Sequence, residues 1–347
     1  MQNKVKRNYW PTNEWQTTKP ESVGISPDKL TELAEAIESE YRNINGIVIV
    51  KNGYIVFEKY SNGFGPNDTH HVASVTKSVM SALIGIAIDK GYIKSVNQKV
   101  LDFFPEYNAE ANDFVKRAVT IKHLLTMTAP FAWKTNNKLR FEPLDRLRRQ
   151  RDWVTYTLNI MGQGGLLGKF QYCTASPHLL SAIISHTTKM SAREFANQHL
   201  FRPVGMKEIA NYEMKACSLD EVFLNIKGWI NDPSNVTVGG WGLTITPRDM
   251  ARFGFLYLNG GFWEDKQVIS QKWVDESTAL NPNKYGYLWW LRNEKNVFAY
   301  SALGSGGNVI CCIPEKDLVV AIASKVAGKP YDPWTLLEDF ILPTVNQ

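Results

Sequence analysis

Two β-hairpin patterns lie at opposite ends of the chain, and they constrain the fold more than any other feature. Apolar and β-branched residues fill 47–50 and 54–57 on either side of Asn52-Gly53, a dipeptide that supplies the positive φ angles of a tight turn. A second pair of apolar runs, 308–313 and 318–323, is separated by a short polar turn. Because hairpin strands pair antiparallel, we expect both ends of the chain to build one antiparallel sheet.

The chain between these hairpins has mainly helical and irregular patterns. Helices are predicted at 29–40, 74–90, 121–127, 152–159, 176–187, 192–200 and 247–258. This order predicts an α+β fold in which helices pack on the sheet and a mainly helical insertion interrupts it. The predicted domains are a sheet domain from 20–100 and 235–347, a helical domain at 101–234, and an N-terminal extension at 1–19.

Composition excludes several classes of protein. The chain of 347 residues is 44% hydrophobic and 21% charged, which is typical of globular proteins and not of disordered ones. Four cysteines fit neither a disulfide framework nor a C-x-x-C zinc pattern, and no H-E-x-x-H motif occurs, so we predict no metal and no cofactor. The longest apolar stretch, 79–88, is about half of a membrane span. Without an apolar leader at the N-terminus, a cytoplasmic protein with no membrane span is predicted.

The formal charge of +5 is spread along the chain except for one basic cluster. Its members are Lys138, Arg140, Arg146, Arg148, Arg149 and Arg151. Nucleic-acid-binding domains are normally more basic and carry a reading motif. We therefore interpret the cluster as a solvated helix face and expect no nucleic-acid partner.

Ser74-Val75-Thr76-Lys77 is the segment most suggestive of catalysis. If a helix begins here, the i and i+3 positions share one face, so the Ser74 hydroxyl and the Lys77 amine can meet as nucleophile and base. The helix that follows is apolar almost all round, which predicts burial. Burial would lower the pKa of Lys77, and the helix N-terminus would stabilise negative charge near Ser74. A serine that only caps the helix is the alternative, since S-x-x-K is a short pattern.

Several segments, taken in order, resemble one family. They are residues 71–78 around Ser74, His123 to Thr128, Phe170 to Ser176, Gly239 to Asp249, and Leu303 to Gly307. Together they are similar to the serine β-lactamase and penicillin-binding protein superfamily. The resemblance is closest to its class C-like branch, which includes esterases, D-peptidases and 6-aminohexanoate-oligomer hydrolases.

The resemblance implies further site residues. Tyr172 would join Ser74 and Lys77 as a proton-handling group, with either Tyr172 or Lys77 acting as the base. The backbone N–H groups of Ser74 and Ser305 would form an oxyanion hole. Thr174, Gly304 and Gly306 would contact the substrate, although Thr174 could instead orient Lys77 and the glycines around Ser305 could simply shape a turn.

The chain also departs from the family pattern at two places. Ala302-Leu303-Gly304 stands where β-lactamases of this type carry Lys-Thr-Gly or His-x-Gly, and Thr174 stands where Asn is frequent. A β-lactam carboxylate would lose a cationic partner, whereas acyl transfer from esters or uncharged amides would be unaffected. We predict a serine hydrolase that cleaves a small ester, amide or peptide-like substrate through an acyl-enzyme on Ser74. A true β-lactamase or D-alanyl-D-alanine carboxypeptidase, and a non-catalytic binding protein on the same fold, are the alternatives.

Overall fold

A computed structural model of the protein describes residues 7–134, 142–214, 226–325 and 331–345. Its strands are β1 (Ile44–Lys51), β2 (Tyr54–Tyr60), β3 (His70–His71), β4 (Asn211–Glu213), β5 (Trp229–Asn231), β6 (Thr244–Ile245), β7 (Phe262–Trp263), β8 (Lys266–Gln267), β9 (Trp290–Glu294), β10 (Val297–Gly304), β11 (Asn308–Ile313) and β12 (Leu318–Ser324). The described α-helices are α1 (Pro27–Ser39), α2 (Val75–Asp89), α3 (Phe114–Ala118), α4 (Ile121–Leu125), α5 (Glu142–Arg148), α6 (Trp153–Ile160), α7 (Ser176–Thr188), α8 (Ala192–Ala196), α9 (Pro247–Leu258), α10 (Gln271–Ser277) and α11 (Pro333–Leu336).

Six strands form the main sheet in the order β2-β1-β12-β11-β10-β9, and every neighbouring pair is antiparallel. The first hairpin therefore lies beside the last strand of the chain, with Val48 opposite Ala321. This arrangement confirms the α+β fold with a sheet built from both ends. Helices α3–α8 all lie within the predicted helical insertion, whose limits stay a prediction.

Each face of the sheet is covered by a separate apolar core. Helix α1 and the C-terminal helical segment that starts at α11 pack on one face, while α2, α9 and the helices of the insertion cover the other. Side chains alternate along β11, so the free thiol of Cys311 points into the first core and that of Cys312 into the second.

A short two-stranded ladder places the candidate site at one end of this second core. Strand β3 pairs antiparallel with β6, with His70 opposite Ile245. Helix α2 starts shortly after β3, and α9 starts shortly after β6. The ladder therefore brings two helix N-termini into the same region of the molecule.

The N-terminal segment, residues 7–18, is packed against the body of the protein. Arg7 makes two hydrogen bonds to the carboxylate of Asp317, at 2.6 and 2.7 Å. Pro11 accepts a hydrogen bond from Arg252 at 2.8 Å, and Trp15 is buried in the second core. The described part of the predicted extension is thus an integral part of the fold.

The basic cluster is less solvated than predicted. Arg148 is buried and forms an ion pair with Asp145 in the preceding turn of α5, whereas Arg149 and Arg151 are exposed. The prediction of a solvated helix face was therefore wrong for Arg148, because its pairing with Asp145 offsets part of the cost of burying the guanidinium. Lys138 and Arg140, like Cys217, lie outside the described residues.

Within the described ranges, no helix combines the length and the apolar character needed to cross a membrane.

Candidate active site

Ser74 occupies the N-cap position of α2, and the backbone before it is unusual. Ala73 has a φ of +49°, a left-handed conformation that costs a non-glycine residue about 1–3 kcal/mol. Ser74 itself has right-handed helical angles, and its side chain makes no capping hydrogen bond. The alternative interpretation of this serine as a helix cap is therefore wrong, and its hydroxyl is available for other contacts.

Lys77 meets Ser74 one helical turn further on. Its Nζ lies 2.8 Å from the Ser74 Oγ and donates a second hydrogen bond of 2.6 Å to the backbone carbonyl of Gly240. Only 1% of Lys77 is exposed, because α2 is buried along nearly its whole length. The predicted serine–lysine contact is thus present, with Lys77 buried and Ser74 partly exposed.

The Gly240 carbonyl is a site feature that the sequence analysis missed. A Cβ atom at Gly240 would lie 2.3 Å from the carbonyl oxygen of Thr174, and one at Gly239 would lie 2.0 Å from that of Pro177. Only glycine allows this segment to approach the start of α7 so closely. The glycine-rich segment is visible in the sequence, but a backbone carbonyl that accepts a hydrogen bond leaves no residue type by which its role could be predicted.

Tyr172 completes the group of three polar side chains. The Lys77 Nζ lies 5.1 Å from the centre of the Tyr172 ring, and the Ser74 side chain is close enough to the phenol to lower its pKa. The residues that carry these groups are separated by about a hundred positions in sequence, and the close packing of the 170–176 segment against α2 and Gly240 brings them together. The structure therefore places Ser74, Lys77 and Tyr172 in one site.

Burial acts in opposite directions on the pKa values of the two titratable groups. Desolvation lowers the pKa of Lys77 to about 7, because the ammonium form loses its water. Desolvation raises the pKa of Tyr172 to about 12, although the hydrogen bond from Ser74 opposes this change. Near neutral pH, a large fraction of Lys77 is consequently uncharged while Tyr172 remains a neutral phenol.

Aromatic side chains pack against the Tyr172 ring. Trp290 stacks on the Tyr172 ring with centroids 5.8 Å apart, and Tyr285 contacts the same ring edge to face at 6.2 Å. Phe170 packs against both Tyr285 and Trp290. Trp290 is partly exposed beside Tyr172, whereas its neighbour Trp289 belongs to the core.

The end of β10 lies beside the start of α2. A Cβ atom at Gly304 would lie 2.3 Å from the carbonyl oxygen of Val72 and 3.2 Å from the Cβ of Ala73, so glycine permits this close approach. Ser305 is exposed in the turn that follows, and Gly306 has a φ of +89°. These glycines do shape a turn, as one interpretation held, and that turn stands next to the strand–helix junction of Ser74.

The remaining site assignments stay predictions. The carbonyl oxygen and the Cγ2 atom of Thr174 lie beside Gly240. Contact of Thr174 with the substrate stays a prediction, and so do the oxyanion-hole roles of the Ser74 and Ser305 N–H groups. In the part of the chain that the structure describes, no group of three or more His, Cys, Asp or Glu side chains is arranged to hold a metal ion.

Comparison with known proteins defines the class to which this fold and site belong. The Beta-lactamase family matches residues 34–336, which is most of the chain, and the protein belongs to that family. The 6-aminohexanoate-dimer hydrolase of Paenarthrobacter ureafaciens is 23% identical over 350 residues, covering 92% of this chain and 81% of that one.

Solved structures share the fold across nearly the whole chain. A Bacillus anthracis protein provisionally named a 6-aminohexanoate-dimer hydrolase superposes with a TM-score of 0.75 and 20% identity, over 98% of this chain and 89% of that one. EstCE1, a hydrolase with promiscuous acyltransferase activity, superposes with a TM-score of 0.69 and 13% identity, over 93% and 99%. The predicted superfamily is confirmed, and the protein is a serine hydrolase that acts on small molecules through an acyl-enzyme.

Proposed function

We propose that the protein hydrolyses an uncharged carboxylic ester or amide, with Ser74 as the nucleophile, Lys77 as the general base and Tyr172 as a neutral proton donor. The observation that carries this proposal is the pair of hydrogen bonds made by the buried Lys77 amine. A neutral amine can donate one N–H to the Gly240 carbonyl while its lone pair faces the Ser74 hydroxyl, and it is then ready to accept a proton.

Acylation follows from this arrangement. Lys77 takes the hydroxyl proton as the Ser74 Oγ bonds to the carbonyl carbon of the substrate, and the carbonyl oxygen becomes an oxyanion held by the N–H groups of Ser74 and Ser305. As the intermediate collapses, the bond to the leaving group breaks. Tyr172 passes its phenolic proton to the departing alcohol or amine and regains one from the Lys77 ammonium.

Deacylation reuses the same groups. Water enters where the leaving group stood and gives a proton to Lys77 as its oxygen attacks the acyl carbon. The Ser74 Oγ then leaves, recovers the proton and releases the carboxylic acid. The pKa values support Lys77 over Tyr172 as the base, because burial favours the uncharged form of each group and only the amine is a base when uncharged.

The substrate class is proposed from the charge of the site and from the relatives. Ala302, at the position of the family's cationic residue, is buried and uncharged, which disfavours a substrate with a carboxylate at that point. Support for an amide or ester as the bond that is cleaved, and not for the absence of charge, comes from the relative named for hydrolysis of 6-aminohexanoate dimers and from EstCE1, a hydrolase with acyltransferase activity.

Labelling with a fluorophosphonate probe, followed by peptide mass spectrometry, tests the nucleophile. We expect one adduct, on Ser74, and none in Ser74→Ala. Ser81→Ala is the matched control, because it removes another buried hydroxyl two turns along the same helix. Equal labelling of wild type and Ser74→Ala would contradict the proposal. Turnover of p-nitrophenyl acetate without turnover of nitrocefin would support the ester or amide class, and rapid nitrocefin turnover would favour a β-lactamase.

A further inference from the structure

A buried histidine–aspartate pair lies behind the segment that carries the Gly240 carbonyl. His178, in the first turn of α7, approaches Asp232 with 3.1 Å between Nε2 and Oδ2, and their side chains are only 1% and 0% exposed. Because a carboxylate can only accept, the Nε2 atom of His178 carries the proton. Neither residue belongs to the proposed proton-transfer group.

Asp232 organises the segment that leads to Gly240. Its Oδ1 accepts hydrogen bonds from the backbone N–H groups of Ser234 and Val236, at 2.9 and 2.8 Å. With one oxygen bound to the segment's own backbone and the other to His178, the carboxylate fixes the turn at 232–236 to α7. A few residues later the chain reaches Gly239 and Gly240.

His178 also supports both sides of Gly240 by packing. On one side, a Cβ atom at Gly239 would lie 3.1 Å from the His178 Cα, so the two backbones are in direct contact. On the other side, Trp241 packs on Trp153 with centroids 5.9 Å apart, and Trp153 packs on the His178 ring at 5.8 Å. Three independent contacts thus lead from the region of His178 to the residues that flank the Gly240 carbonyl.

We infer that His178 and Asp232 form a positioning pair that holds the Gly240 carbonyl against Lys77 and thereby sets the rate at which Ser74 is acylated. This inference rests on the proposed function. The Gly240 carbonyl orients the Lys77 amine by accepting a hydrogen bond from it, so a displaced carbonyl lets the amine rotate or bind water instead. The lone pair of Lys77 then spends less time directed at the Ser74 hydroxyl.

The test compares two substitutions of His178 that differ in hydrogen bonding. His178→Leu removes the donor to Asp232, whereas His178→Gln keeps a side-chain N–H donor in the same place. We expect His178→Leu to lower kcat for p-nitrophenyl acetate and the rate of fluorophosphonate labelling of Ser74 about 10- to 30-fold. KM should change by less than about twofold, since the pair does not contact substrate. His178→Gln should recover the rates to within about threefold of wild type.

Asp317→Asn is the control for loss of a carboxylate partner away from the site, because Asp317 is partly exposed and pairs with the buried Arg7 side chain. It weakens the Arg7–Asp317 ion pair, which lies at the β11–β12 turn, and it should lower the melting temperature without changing the labelling rate of the folded protein. If His178→Leu does not fold, Asp232→Asn is used instead, because it keeps the side-chain shape and should slow labelling about fivefold.

The labelling results distinguish a failure of the proposed function from a failure of the positioning role of His178 and Asp232. A wild-type protein that is not labelled on Ser74 contradicts the proposed function itself. A labelled wild type with equal labelling in His178→Leu overturns only the positioning role, as do equal losses in His178→Leu and His178→Gln. A lower labelling rate in His178→Leu, together with a nearly wild-type rate in His178→Gln, supports the positioning role.

Discussion

The two helices that follow the β3–β6 ladder begin in opposite ways. At the start of α9, Thr246 accepts a hydrogen bond from the Asp249 backbone N–H at 3.0 Å, and a proline occupies the first turn. At the start of α2, Ser74 makes no such bond, and the residue before it has left-handed angles. The Thr246 hydroxyl therefore stabilises the start of α9, whereas the Ser74 hydroxyl at the start of α2 is free of a capping role and available to react.

The buried charges follow the same division. In α9, Asp249 is paired with Arg252 at 2.9 Å, so a buried carboxylate has a charged partner. In α2, the buried Lys77 instead contacts neutral groups among the described residues, namely the Ser74 hydroxyl, the Gly240 carbonyl and the Tyr172 ring. We infer that α9 stabilises the fold. The start of α2 is less stable, because it lacks a capping hydrogen bond and buries an amine without a charged partner, and these features make the site reactive.

The largest expected effect is on activity at the start of α2. Ser74→Ala should lower kcat/KM for an ester at least about 10³-fold, because the nucleophile is lost. Its free energy of unfolding should stay within about 0.5 kcal/mol of wild type, since the hydroxyl does not cap the helix. Ester turnover and urea unfolding measure the two quantities. A stability loss as large as that of a missing cap would contradict the comparison.

Lys77→Met should separate activity from stability most clearly. We expect activity to fall about 10³-fold, because the general base is removed. The low pKa of Lys77 corresponds to a penalty of about 5 kcal/mol for keeping this amine buried at neutral pH, and the lost hydrogen bonds offset part of the gain. The free energy of unfolding at pH 7 should therefore rise by about 2 kcal/mol. Arg252→Met in α9, which leaves Asp249 without its partner, should instead lower it.

The pH dependence of kcat/KM should report on Lys77. Its pKa lies below the ordinary lysine value, so the amine is protonated and inactive below about pH 7 and uncharged above it. We expect kcat/KM to rise about tenfold per pH unit below the midpoint and to level off above it. Because the pKa of Tyr172 is raised to about 12, no decline is expected up to pH 9. A midpoint near pH 10 would contradict a base whose pKa is lowered by burial.

The smallest effect concerns the capped helix. Thr246→Ala should lower the free energy of unfolding by about 1 kcal/mol, because the Asp249 N–H loses its acceptor. Ester turnover should remain within about twofold of wild type, in contrast to Ser74→Ala. Thermal unfolding of the two variants side by side measures the difference between a hydroxyl that caps and one that reacts.

The sequence supported those parts of the fold and the site that rest on local patterns. Alternating apolar runs predicted the hairpins, and the spacing of Ser74 and Lys77 alone suggested their contact, because i and i+3 positions meet on any helix. Tyr172 needed the family resemblance, since nothing local relates it to a helix about a hundred residues earlier.

Other features depend on chain folding and leave no local pattern. The Gly240 carbonyl is a backbone atom, and the His178–Asp232 pair joins residues that are 54 positions apart. Strand β9 contains charged residues that do not alternate cleanly, and it was not predicted. The lowered pKa of Lys77 was predicted from the apolar helix, whereas the raised pKa of Tyr172 required the packing around it, because burial decides which form of the phenol is favoured.

The packed N-terminal segment has a consequence for recombinant production. A version of the protein shortened to begin at residue 20 would lose Trp10, which packs on Phe255 and Trp263, and would leave Arg252 without the Pro11 carbonyl. The rings of Phe255 and Trp263 would then be exposed as an apolar patch. Such a preparation should aggregate more readily than the full-length protein, even though every residue of the candidate active site is retained.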